Sequence, residues 1–179
     1  MAAAVGLIEF TSIARGIAAC DDMVKAAQVE LLRAATVCAG KYIVLIGGDT
    51  GSVREAMAAG KSCGGPYVAD TLMLPSVHEQ VIPAICMTNP VTARGAVGVM
   101  EFYSIASAVV AADAAAKAAN VTLIEVRTGY AIGGKGFVTL TGDVGAVRAA
   151  VDAATRNAEL LVQTAILPRP DPKLFEALL

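Results

Sequence analysis

Residues 5–15 read VGLIEFTSIAR, and residues 97–107 read VGVMEFYSIAS. The tripeptide Lys-Ala-Ala follows both stretches, at residues 25–27 and 117–119, and a second Gly-Asp and a second Leu-Pro come later in the same order. Chance does not produce a match of this length, and self-similarity at a fixed spacing is typical of duplicated structural units. The sequence therefore predicts two copies of one domain.

The boundary between the copies is predicted from a break in regular structure. Asn89-Pro90 interrupts the chain after the first copy, and such dipeptides are typical of turns and linkers. We expect a first domain over residues 1–93 and a second over residues 94–179.

The periodicity inside the first copy predicts an alternation of strands and helices. Ser12 is a suitable N-cap for the first helix, whose apolar face we expect to carry Ile13, Ile17, Cys20 and Val24. The expected strands are residues 5–10, 29–37, 41–47 and 68–74, and the expected helices are residues 12–27, 52–59 and 77–85. This order predicts an α+β fold of ferredoxin-like kind, a four-stranded antiparallel sheet with helices on one face, in each copy.

The composition excludes several classes of protein. Apolar residues make up 56% of the chain, yet Gly and charged residues interrupt every apolar run before it reaches membrane-spanning length. The net charge of −2 and the scattered Lys and Arg residues argue against a nucleic-acid partner. Two small domains cannot bury so much apolar surface alone, so we expect an obligate oligomer.

The four cysteines are the candidate reactive groups. Cys20, Cys38, Cys63 and Cys86 form no CxxC pair and no zinc-type spacing with the lone His78. We expect a reduced, cytoplasmic protein, with Cys20, Cys63 and Cys86 structural and His78 on the surface. No base–nucleophile pair emerges, so we predict that the chain is not an enzyme.

These motifs resemble the bacterial microcompartment shell domain, in its tandem-domain trimer type (BMC-T). VGLIEF, the Asp21–Val29 stretch, GGDTGSV and the closing Leu-Pro carry the likeness in the first copy, and the second copy repeats them. The chain looks most similar to the propanediol-utilisation shell trimers that carry an iron–sulfur cluster. Their Cys-Pro-Gly-Lys motif stands here as Cys38-Ala39-Gly40-Lys41, with Ala39 in place of Pro.

The resemblance implies an assembly and its contact residues. Three chains form a flat pseudo-hexameric tile, and tile-edge residues Lys25, Lys117 and Arg169 join neighbouring tiles, whereas Ser76 stands where the first copy would have the matching Arg. The loops between the second and third strands converge on a central pore. The pore-lining residues are then Val37, Cys38, Ala39, Gly40, Tyr130, Ala131, Ile132, Gly133 and Gly134.

Cys38 is the candidate metal ligand. An axial residue of a three-fold trimer occurs three times around one point, and three thiolates match three irons of a cubane. We expect one [4Fe–4S] cluster per trimer, with its fourth iron open and with loss or degradation to [3Fe–4S] in aerobic preparations. A small loop thiol without metal is the competing interpretation.

Three functions follow in order of preference. The first is a shell tile whose cluster serves electron transfer or cluster transfer, with other shell proteins and an encapsulated or cytosolic redox enzyme as partners. The second is a tile with a small-metabolite pore and no cluster. The third is a nucleotide enzyme using Gly47-Gly48-Asp49 and Gly142-Asp143, which are better explained as strand-to-helix turns with Asp at a helix N-terminus.

Overall fold

The first sheet is built around β1 (Ala4–Phe10), all of whose residues are buried. The computed structural model describes residues 4–92 and 94–178, so the ends of the expected domains, residues 1–3, 93 and 179, lie outside the described residues. The chain divides into two compact units, residues 1–77 and 78–179.

The first unit has the expected ferredoxin-like topology. Its antiparallel sheet has the strand order β2-β3-β1-β4, and α1 and α2 pack on β1. The remaining bounds are α1 (Ile13–Ala26), β2 (Glu30–Val37), β3 (Lys41–Gly48), α2 (Thr50–Gly64), a short 3-10 turn (Gly65–Tyr67) and β4 (Val68–Leu74). The predicted α+β fold is therefore confirmed.

The core of the first unit lies between one face of the sheet and the two helices. Ile8, Phe10 and Val44 from the strands meet Met23 of α1 and Met57 of α2. Successive strand residues point to opposite faces, so Glu9, between Ile8 and Phe10, points away from the helices.

The second unit repeats this arrangement and adds two helices. Its sheet has the order β6-β7-β5-β8, all antiparallel. The bounds are α3 (Val81–Ile85), β5 (Ala96–Phe102), α4 (Ile105–Ala118), β6 (Val121–Thr128), β7 (Gly136–Gly142), α5 (Val144–Thr155), β8 (Leu161–Leu167) and α6 (Pro172–Leu178).

Helices lie on both faces of the second sheet rather than on one. A Cβ on Gly98 would meet Val147 of α5, whereas the adjacent Val97, on the other face, packs with Phe175 of α6. The one-face prediction thus holds for α4 and α5 but misses α6, whose apolar pattern is too short to recognise from sequence.

The connecting segment, residues 78–92, belongs to the second unit. The Gln80 side chain donates to the Val121 carbonyl at 3.1 Å and accepts from the Leu123 amide at 2.9 Å, and Asn89 donates to the Leu123 carbonyl at 2.9 Å. These side chains form hydrogen bonds with backbone groups of β6, which is an edge strand of the sheet. The boundary between the compact units therefore falls after Val77. The boundary predicted between residues 93 and 94 instead separates the two copies of the sequence repeat.

The apolar face predicted for α1 is wrong in its main members. Gly16, Ala19 and Met23 are buried, whereas Ile13, Ile17 and Val24 are 38%, 53% and 40% exposed. The physical reason is close packing: a Cβ on Gly16 would lie 2.7 Å from the Tyr42 ring, so α1 approaches the sheet along its small residues.

Candidate functional site

The Cys38 loop, residues 38–40, is the tight turn between β2 and β3. Val37 and Lys41 face each other in the strand register at the base of the turn. Val37 is 5% exposed, Cys38 is half-buried and Ala39 and Gly40 are exposed. Gly40 has φ +76 with no atom within 4 Å of the position its Cβ would take, so the turn needs glycine for its backbone and its outer side is open.

A partly buried ion pair fixes the base of this turn. Lys41 Nζ donates to Glu9 Oε1 at 2.5 Å, and the Glu9 side chain is only 5% exposed. A carboxylate this buried requires a partner of opposite charge. The sequence did not single out Glu9, although VGLIEF and VGVMEF both carry this Glu, and a Lys follows each loop.

The second copy keeps this pair in a more open form. Lys135 Nζ lies 2.8 Å from Glu101 Oε1, with both side chains 36% exposed, and it also lies 5.7 Å from the ring centre of Tyr103. The hydrogen bond to Glu101 raises the pKa of Lys135. Each copy thus has a Lys–Glu pair at the same end of its sheet.

The Gly-rich loop, residues 129–135, joins β6 and β7. Tyr130 is 63% exposed, and left-handed φ angles occur at Ala131, Gly133 and Gly134. A Cβ on Gly133 would meet no atom within 4 Å. The predicted pore-lining residues other than Val37 therefore lie on two open turns, one in each unit. Val37 instead ends β2 and is buried, and the role of all these residues around an axis stays a prediction.

The donor chemistry of the Cys38 loop suits an iron–sulfur cluster held between chains. Among the described residues, no group of three or more His, Cys, Asp or Glu side chains could hold a metal within one chain. A thiolate is a soft ligand suited to such clusters, and Cys38 lies on a turn with an open outer side. A full set of thiolate ligands at this turn requires several copies of the chain.

The predicted edge lysines lie in the last turns of α1 and α4. Lys25 Nζ lies 2.5 Å from Asp21 Oδ2, and Lys117 Nζ lies 2.6 Å from Asp113 Oδ2. Asp113, the repeat counterpart of Asp21, also accepts a hydrogen bond from the His78 backbone amide at 2.7 Å.

Arg169 lines a cleft in the second unit. The cleft has a volume of about 280 Å³, and Arg94, Gly95, Phe175 and three prolines also line it. The Arg94 guanidinium lies 5.9 Å from the Phe175 ring centre. Ser76, at the corresponding position of the first copy, is exposed with φ +55.

The other cysteines lie away from the Cys38 loop in the chain. Cys20 and Cys63 pack partly against the first core, and burial raises the pKa of Cys20. A hydrogen bond to the Asp22 carboxylate is the main cause that raises the pKa of Cys63. Cys86 follows α3 and is exposed.

The other residues singled out from the sequence, His78, Asp49 and Asp143, lie just before helices. His78 is half-buried before α3, and its Nδ1 accepts from the Gln80 amide at 3.3 Å. Asp49 caps α2, accepting from the amides of Gly51 and Ser52 at 2.9 and 3.0 Å, as the turn interpretation predicted. Asp143 holds the same position before α5 without a side-chain cap bond.

The repeated fold and its paired loops define a tandem α+β protein, and comparison with known proteins gives its family. The profile described as BMC domain matches residues 4–77 and 96–170. The chain belongs to the bacterial microcompartment shell protein family and contains two BMC domains in tandem. Within the described ranges 4–92 and 94–178, no helix is both long and apolar enough to cross a membrane.

Several relatives show how far this similarity extends. The chain is 44% identical to the bacterial microcompartment shell protein PduT of Citrobacter freundii, over 98% of this chain and 97% of that protein. A crystal structure of a microcompartment protein from Desulfitobacterium hafniense superposes with a TM-score of 0.95 at 49% identity, covering 98% of this chain and 99% of that one.

More distant relatives share one or both domains. The shell protein PduA of Citrobacter freundii is 44% identical over 42% of this chain and 82% of its own length. The fused permuted hexameric shell protein MSM0275 has a TM-score of 0.60 at 25% identity, covering 86% of this chain and 82% of that one. The predicted tandem shell-protein resemblance is confirmed.

Proposed function

We propose that three copies of this chain close into a pseudo-hexameric tile of a microcompartment shell. The two copies of the domain differ in a way that supports this assembly. Ile105 and Val109 on α4 are fully buried, whereas Ile13 and Ile17, their counterparts on α1, are 38% and 53% exposed. A surface that one copy buries within the chain is thus open in the other copy, as expected if a neighbouring chain covers it.

The tile carries one [4Fe–4S] cluster, held by Cys38 of its three chains. The half-buried position of Cys38 on an open turn is the single observation that carries this proposal. When bound, such a cluster supplies reversible one-electron exchange. Cys38 holds it, the Lys41–Glu9 pair fixes the base of the turn, and the exposed Ala39 and Gly40 leave room for close approach of the other two chains.

The tile then passes electrons, or intact clusters, between the two sides of the shell. Other shell proteins surround it, and a redox enzyme inside or outside the compartment is its partner. Its role is structural and conductive, without catalytic side chains of its own.

The test compares anaerobically reconstituted wild-type protein with Cys38→Ser. Serine keeps the size of the side chain but is a harder and far less acidic ligand, so Cys38→Ser loses the iron while the trimer survives. We expect about four irons per wild-type trimer, or about three after loss of the open iron, with the broad visible absorption of thiolate-bound iron. Electron paramagnetic resonance then reports a single cluster type.

Cys20→Ser, Cys63→Ser and Cys86→Ser are the matched controls, and each should keep the wild-type iron content. If wild type and Cys38→Ser bind the same amount of iron, the cluster proposal is wrong and a tile with a small-metabolite pore takes its place.

A further inference from the structure

The cleft beside α6 in the second unit carries two arginines that the first copy of the domain lacks. Arg94 and Arg169 line this cleft, which has a volume of about 280 Å³. Ala2 and Ser76 stand at the corresponding positions of the first copy in the sequence. Both copies build the same four-stranded sheet, so the shared fold does not explain why the second copy has this pair.

Neither guanidinium is neutralised by the part of the chain that the structure describes. No carboxylate within residues 4–92 and 94–178 forms an ion pair with Arg94 or Arg169. Asp171, two residues after Arg169, accepts the Lys173 amide at 2.9 Å at the start of α6. Both arginine side chains are exposed, and arginine stays protonated in proteins. The cleft therefore brings two positive charges together.

Prolines restrict the backbone around Arg169. Pro168 precedes Arg169 and Pro170 follows it, and both line the cleft together with Pro172. Proline fixes its own φ angle and favours an extended conformation for the residue before it. Because proline has no N–H group, these three residues give the cleft apolar walls, and Arg169 supplies the donors on this side.

The other side of the cleft is held by Phe175 and by β7. The Arg94 guanidinium lies 5.9 Å from the ring centre of Phe175, which is 3% exposed and packs with Val97. The Gly95 amide donates to the Thr141 hydroxyl at 3.2 Å, so the chain next to Arg94 is tied to the sheet. Donors that are held in place before a ligand arrives lose less freedom on binding.

We propose that this cleft binds a small organic phosphate, with the phosphate group on Arg94 and Arg169 and the organic part against Phe175 and the prolines. A guanidinium can donate two parallel hydrogen bonds to one oxyanion. A phosphate monoester carries about two negative charges and three acceptor oxygens on a single group, so both arginines can bind it. The volume of about 280 Å³ suits a small molecule. The site lies within the second unit and depends neither on the proposed tile nor on its cluster.

The experiment titrates the full chain with phenyl phosphate, inorganic phosphate, succinate and phenol by calorimetry at low ionic strength, where exposed charges are least screened. Phenyl phosphate should bind most tightly. Inorganic phosphate should bind more weakly because it has no organic part, succinate should bind more weakly because its charges are on separate groups, and phenol should not bind.

Two variants test the arginines, and a third is the matched control. Arg94→Gln and Arg169→Gln should each weaken phenyl phosphate binding about ten-fold or more. Arg148→Gln removes an exposed arginine of α5 in the same unit and should leave the affinity unchanged. Circular dichroism checks that each variant is folded. If Arg94→Gln unfolds because it loses its contact with Phe175, Arg169→Gln decides alone.

Three results would overturn the proposal. The first is that phenyl phosphate at millimolar concentration does not bind the wild-type chain. The second is that inorganic phosphate or succinate binds as tightly as phenyl phosphate. The third is that folded Arg169→Gln keeps the wild-type affinity, or loses no more of it than Arg148→Gln.

Discussion

At the residue scale, Gly16 packs α1 tightly against the sheet. A Cβ at this position would lie 2.8 Å from the Tyr42 Cβ and 2.7 Å from its ring, and the root of a strand side chain cannot move aside. Gly16→Ala should therefore destabilise the chain by about 1–2 kcal/mol, because overpacking outweighs the better helix propensity of Ala.

Gly145 provides the matched control, since a Cβ there meets nothing within 4 Å. Gly145→Ala in α5 should raise stability by about 0.5–1 kcal/mol. Denaturant midpoints of the two variants measure both effects. Equal shifts in the same direction would refute the packing argument at Gly16.

Some residues of the candidate site can be recognised from the sequence, and others cannot. Cys38 stands out because a thiol in the Cys-Ala-Gly-Lys loop between two strands is a potential metal ligand. Glu9 does not stand out, because its importance arises from burial, and burial depends on the whole sheet. The repeat held a usable signal, since Glu9 and Glu101 occupy the same place in the two copies and each pairs with a lysine beside its loop.

At the scale of elements, α2 depends on the Asp49 cap. Asp49 accepts from the Ser52 hydroxyl at 2.6 Å in addition to the amides of Ser52 and Gly51. The hydrogen bond from the Ser52 hydroxyl is the main cause that lowers the pKa of Asp49 below 3.8. Because the folded-state pKa is the lower one, this stabilisation is present above about pH 3.8 and is lost as pH falls through the lowered pKa.

Asp49→Ala should therefore lower Tm by a few degrees at neutral pH and by progressively less as the pH falls below 3.8. Asp143→Ala is the control, because Asp143 makes no side-chain cap bond, and its effect at neutral pH should be smaller. Thermal melts across pH measure the difference. A pH-independent loss in Asp49→Ala would contradict the role of its carboxylate.

The sequence predicted strands better than helices. The predicted strand at residues 68–74 has the observed bounds, and the other three strands of the first unit agree within one residue at each end, because turns on both sides limit them. The second helix was predicted at residues 52–59 but spans Thr50–Gly64, since Asp49 caps it and its later residues are small and polar. The short helix α3 begins only at Val81, because residues 78–80 bond to their neighbours in the second unit.

At the scale of the whole molecule, the duplication places the same apolar helix face in two environments. Ile17 is 53% exposed and its counterpart Val109 is fully buried. Ile17→Glu should leave a folded chain that no longer forms trimers, so light scattering should give the 18.2 kDa chain mass where wild type gives three times as much. Val109→Glu should prevent folding, because it buries an unpaired charge.

Circular dichroism of Ile17→Glu checks that the monomer is folded. A wild-type mass equal to one chain would refute the trimer, and a trimeric Ile17→Glu would show that the exposed face of α1 is not an interface. These outcomes test the assembly without reference to iron.

The hydrogen bonds of the connecting segment also constrain the order in which the two units can fold during synthesis. His78 finds its native acceptor Asp113 35 residues later, and Gln80 finds Leu123 43 residues later. A ribosome that adds residues from the N-terminus thus completes residues 4–77 while the next stretch has no native partner. That stretch stays unpaired until β6 has been synthesised, so the first unit can fold before its neighbour, and the connecting segment reaches its final position only with the second unit.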